Sequence, residues 1–135
     1  VDAADSFVTA LDVDAAMSSG WTERVRGDGT TPSEIAVELG AVHDPTVIRV
    51  AHRAANGRVY IDKLVTLQGS REHPVQMSVV ESTIRALASA FAPVKKIRIE
   101  SWQGMGTTQT LTRLGLPVEL YTPTFRAQPS PESRG

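Results

Sequence analysis

The sequence predicts an α/β fold, a mixed sheet of about five strands with helices on its faces. Three observations carry this. Two runs rich in β-branched residues, Thr46–His52 and Arg58–Leu67, flank Ala55-Asn-Gly57. Asn-Gly supplies the positive φ angles of a tight hairpin. A stretch from His73 to Ala92 repeats apolar residues at helical spacing. The last third then alternates strand, helix and strand. An early hairpin followed by β-α-β units implies a mixed sheet, and right-handed crossovers set the last two strands parallel.

The elements follow in order. Phe7–Asp14 reads as a first strand, with Phe7, Thr9, Leu11 and Val13 on one face and Val8, Ala10, Asp12 and Asp14 on the other. Residues 15–31 hold Ser18-Ser-Gly20 and Gly27-Asp-Gly29 and read as a loop. Residues 32–40 carry conflicting signals. Thr31-Pro-Ser-Glu34 has the form of a helix capping box, whereas Ile35, Val37 and Leu39 alternate as in a strand, and the alternation weighs slightly more. In the long helix Met77, Val80, Ile84, Leu87, Ala88 and Phe91 fall on one stripe, and Pro93 stops it. Lys96–Glu100 is a short buried-type strand ending in an acid. A helix over Thr107–Leu114 ends at Gly115, and Pro117–Thr122 is the last strand. Residues 1–126 are expected to form one domain. Residues 127–135, with two Pro and two Ser, read as a disordered tail or linker.

Composition narrows the function classes. The 135 residues are 41% hydrophobic and 21% charged, the balance of a globular domain. No apolar run is long enough to span a membrane, and residues 1–8 lack the basic and apolar stretches of a secretion signal. Cys is absent, which excludes disulfides, thiolate metal sites and Cys nucleophiles and fits a reducing compartment such as the cytoplasm. The net charge of -1 conceals a split: residues 1–44 hold nine acids and two arginines, residues 45–128 eleven basic residues and five acids. The second part suits an anion such as a phosphate backbone, or is an ordinary solvated face.

The strongest chemical constellation is Asp12, with Asp14, at the end of the first strand and Glu100 at the end of a later one. If those strands are parallel neighbours, the acids meet at one edge of the sheet. Carboxylates held close repel unless a cation sits between them. Mg²⁺ or Mn²⁺, hard ions that take carboxylate oxygens, suit such a site. The competing reading makes Asp12 and Asp14 strand-end turn acids and pairs Glu100 with Arg98 or Lys95. Other candidates are weaker. His43, His52 and His73 lack zinc-site spacing, and no serine lies in a Gly-x-Ser-x-Gly setting. Trp102 either stacks on a base or packs at the sheet edge. Arg85, Lys95, Lys96, Arg98, Arg113 and Arg126 would contact nucleic acid through phosphates, without sequence preference.

Several segments together resemble a known family. Ala10-Leu-Asp-Val-Asp14, Gly27-Asp-Gly-Thr30, Gly57-Arg-Val-Tyr-Ile-Asp-Lys63, Ile97-Arg-Ile-Glu-Ser-Trp-Gln-Gly-Met-Gly106 and Val118–Phe125 are similar to the nuclease domain of bacteriophage terminase large subunits. That domain has a ribonuclease H-like fold and cuts concatemeric DNA during genome packaging. The resemblance covers residues 7–125. It implies a metal-dependent endonuclease for double-stranded DNA, using Mg²⁺ or Mn²⁺. Asp12 and Glu100 would be the catalytic metal ligands, with Asp14 and Asp28 close to the metals. It also implies a packaging ATPase domain and a portal or small terminase subunit as partners, and the bacterial host cytoplasm as the location. The family carries a third acid on a helix after the last strand. Beyond Phe125 this sequence has only Glu132, in the Pro/Ser-rich stretch. The alternative is therefore a non-catalytic ribonuclease H-like module that docks DNA or a partner. No phosphate-binding Gly-x-x-x-x-Gly-Lys-Ser/Thr loop is present.

Overall fold

The computed structural model describes residues 22–40, 44–100 and 104–121. Their elements are strand β1 (Ser33–Glu38), β2 (Thr46–Arg53), β3 (Val59–Leu67), helix α1 (Met77–Ala90), strand β4 (Val94–Glu100), helix α2 (Met105–Arg113) and strand β5 (Val118–Tyr121). The five strands form one sheet in the order β3-β2-β1-β4-β5. β1, β2 and β3 are antiparallel in succession, and β4 and β5 both run parallel to β1. This is the mixed α/β sheet expected, ribonuclease H-like in its strand order, with the last two strands parallel.

Each element follows from local chemistry. Residues 33–38 resolve as strand because β1 is the centre of the sheet, with β2 on one side and β4 on the other. Alternation puts Ile35 and Val37 wholly inside, which outweighs the capping-box form of Thr31–Glu34. The β2–β3 hairpin turns at Ala54–Gly57, where Gly57 has φ +84° and donates its N–H to the Ala54 carbonyl at 2.9 Å. The pairing shifts register between Val50 and Ala51, so that Asp62 is an extra residue on β3.

Helix α1 begins at Met77, four residues after the expected His73. Ser70 to His73 is held instead in its own turn. The Ser70 N–H donates to the His73 carbonyl, and the His73 N–H donates to the Ser70 hydroxyl. Val80, Ile84, Leu87 and Ala88 of α1 and Leu111 of α2 pack with Ile35, Val37, Ile48, Val50, Ile97 and Ile99 in one core. Both described helices therefore lie on the same face of the sheet. Gly27 ties the preceding loop to the end of α1, its N–H donating to the Ala90 carbonyl at 3.0 Å.

Candidate functional site

The face opposite the helices carries the charges. Strand alternation and register place its residues in rows across the sheet. One row runs Leu64, Arg49, Ala36, Arg98 and Glu119 over β3, β2, β1, β4 and β5. The next row, two residues further along β1, runs Thr66, Val47, Glu38, Glu100 and Tyr121. Glu38 and Glu100 are direct register partners at the C-terminal ends of parallel strands. Neighbouring strands lie about 4.8 Å apart, so two carboxylates project from one face at one edge.

Both acids are open to water. The Glu38 side chain is 59% exposed and Glu100 is half-buried. The Arg49 guanidinium stands 3.6 Å from Glu38, an ion pair too long for a hydrogen bond. In the same row Arg98 is spent: its Nε and Nη2 each lie 2.9 Å from Glu119 Oε1, and its guanidinium lies over the Tyr121 ring. Lys96 adds a second positive charge on Glu119 at 3.3 Å. Desolvation raises the Glu119 pKa, but the hydrogen bonds and positive charges of Arg98 and Lys96 together outweigh it and lower the pKa.

The structure thus pairs Glu100 with an acid that the sequence reading did not weigh. Both hydrogen-bonding edges of β4 are taken, by β1 and β5. The parallel neighbour that ends in an acid beside Glu100 is β1, with Glu38. Asp12 and Asp14 lie outside the described residues. Asp28 is not brought to Glu100: it precedes the N-terminal end of β1, and six strand residues, about 17 Å, separate that end from Glu38. Its carboxylate is also committed locally. It accepts from the Thr31 hydroxyl and N–H and from the Thr30 N–H and hydroxyl, at 2.6, 2.7, 2.8 and 3.2 Å. These bonds, the Thr31 hydroxyl foremost, hold its pKa far below the usual carboxylate range.

A second polar cluster lies near Asp28. His52 Nδ1 is 2.6 Å from Asp62 Oδ2, and both side chains are nearly buried. Tyr60 stacks on the imidazole with centroids 5.3 Å apart, and Arg24 Nε lies 3.7 Å from the same carboxylate. Arg24, Asp28, Thr31, Ser33, His52 and Asp62 line a recess with room for about one water. Among the described residues no group of three or more His, Asp or Glu is placed to hold a metal ion.

No protein-family model and no curated protein matches the chain. The crystal structure of the HK97 bacteriophage large terminase is similar in fold, with a TM-score of 0.59 over 90% of this chain at 13% identity. The chain spans 30% of the length of that protein. At this identity the likeness concerns the fold.

Proposed function

We propose that this chain is the nuclease-type domain of a phage terminase large subunit, and that it cleaves double-stranded DNA with Mg²⁺ or Mn²⁺ held by Glu38 and Glu100. The observation that carries this reading is the register pairing of those two acids at the C-terminal ends of parallel strands. The donor set suits the ions: carboxylate oxygens on an open face leave room for the several waters that Mg²⁺ retains. The chemistry such ions supply, when bound, is activation of a water and neutralisation of charge on the leaving oxygen. The protein's part is to hold the two carboxylates in register on a rigid sheet and to keep positive charge beside them. Asp12 and Asp14 are the candidates for further ligands, since two acids alone make a weak site. The packaging ATPase domain, the portal or small subunit, and action in the host cytoplasm belong to the same proposal.

A second reading rests on the number of acids. The described residues bring together a pair, not a trio, around Glu100. A ribonuclease H-like module that docks DNA or a partner without cleaving it would have such a face.

Thermal melting with and without millimolar Mn²⁺ separates the two. An ion at 100 times its dissociation constant stabilises the fold by about 2.7 kcal/mol. At this length that is a rise of many degrees. The rise should vanish in Glu100→Gln and Glu38→Gln and shrink in Asp12→Asn, and plasmid nicking should follow the same order. An identical melting curve with and without Mn²⁺ would sink the metal site and leave the docking module.

A further inference from the structure

We propose that Arg49 is the residue that receives a DNA backbone phosphate beside the Glu38–Glu100 pair. The inference deepens the DNA-binding reading above and rests on it. Arg49 sits on β2, one row behind the acids, on the same face. Its guanidinium reaches forward to within 3.6 Å of Glu38. Its Nε is buried and, among the described residues, has no hydrogen-bond partner.

That orphaned donor is the point. A buried N–H left unsatisfied is costly, and an arginine carries five donors in a rigid fork. The flanking residues of its row, Leu64 and Ala36, offer no side-chain acceptor. Ala36, between Arg49 and Arg98 in the row, presents only a methyl group. Nε is covered in the present side-chain position, so a group that brought two acceptor oxygens to this face would draw the guanidinium away from Glu38 and satisfy its fork in a bidentate manner. A phosphodiester does so with its two non-bridging oxygens.

The contrast with Arg98 decides between the two arginines flanking Ala36. Arg98 has its Nε and Nη2 on Glu119 and its face on Tyr121. Recruiting it would break a formed network. Among the described residues Arg49 has only a loose ion pair to relinquish. Its place next to Glu38 also sets the order of charges: an anion held by Arg49 lies against the acid pair, where a bound cation would lie between the two.

The test uses a fluorescent DNA duplex without sequence design, titrated at several salt concentrations in EDTA, with the whole chain and with Arg49→Gln and Arg49→Lys. Loss of one phosphate contact should weaken binding roughly tenfold. It should also reduce the slope of log affinity against log salt by about one. Arg49→Lys should restore the slope but not the full affinity, because lysine keeps the charge and loses the fork. A structural role for Arg49 would move the melting temperature and leave the salt slope alone. An unchanged slope in a folded Arg49→Gln protein overturns the proposal, as does wild-type protein that fails to bind the duplex. Parallel Mn²⁺ melting of Glu38→Gln and Glu100→Gln reports on the metal site alone. A lost Mn²⁺ shift with an unchanged Arg49→Gln slope would leave the metal site standing and remove Arg49. A reduced slope with Mn²⁺ stabilisation indifferent to both acids would support the phosphate contact and remove the metal site.

Discussion

Glu38 and Glu100 end neighbouring parallel strands in the same register, so two like charges share one edge of the sheet. Arg49 offsets the first of them. In EDTA at low salt, removing the second charge should therefore stabilise the fold. Glu100→Gln is expected to gain about 0.5–1 kcal/mol, the scale of a screened like-charge pair near a surface. Thermal melting would read this as a rise of a few degrees. A lower melting temperature would mean that Glu100 makes a stabilising contact instead.

Asp28 should leave a pH signature. Its folded pKa is depressed by hydrogen bonds from Thr31 and Thr30. A depressed carboxyl stabilises the fold above its unfolded value, near 3.9, and loses that contribution as pH falls through the folded value. Asp28→Ala should therefore melt below wild type at neutral pH, and the gap should close as pH drops below about 4. A gap that stays constant from pH 7 to pH 2.5 would contradict the depressed ionisation.

Asp62 anchors a buried polar cluster. Its carboxylate meets His52 and Arg24 with a side chain only 5% exposed. Asp62→Ala would leave His52 Nδ1 unsatisfied at a nearly buried position. A loss of about 2–3 kcal/mol is expected, read from the urea midpoint at pH 7. A loss below about 0.5 kcal/mol would show that water substitutes freely for the carboxylate.

Gly104, at the start of α2, is fixed by close approach. A Cβ there would stand 2.5 Å from Ile99 Cγ2 and 3.2 Å from Leu120 Cδ1. Gly104→Ala should cost about 1–3 kcal/mol through overpacking. Because Ile99 directly precedes Glu100, it should also weaken any Mn²⁺ stabilisation. Gly106→Ala, with open space at its Cβ, is the control and should not destabilise α2.

Much of the fold was legible from period and turn chemistry. Thr46–Leu67 alternates and turns at Asn-Gly, which is local information. The stripe from Val80 to Phe91 is local too. Residues 33–38 were ambiguous because their state depends on two strands far away in sequence. That ambiguity hid the candidate site. Glu38 closes Ile35-Ala-Val-Glu38 just as Glu100 closes Ile97-Arg-Ile-Glu100, and a Gly follows each within a few residues. The signal was a repeated strand-end acid, readable once both runs are taken as strands. The His52–Asp62 contact was less accessible. It depends on an extra residue in β3, and alternation counting passes over a bulge.

The central pairing has a kinetic side. The β2–β3 hairpin joins neighbours in sequence and closes a short loop, but β1 meets β4 across some sixty intervening residues, a closure whose entropy is recovered only when the sheet is complete. Glu38 and Glu100 become neighbours only through that long closure. A chain with its hairpin formed but β4 not yet docked on β1 lacks the acid pair, so this edge takes its charge arrangement only from that long-range pairing.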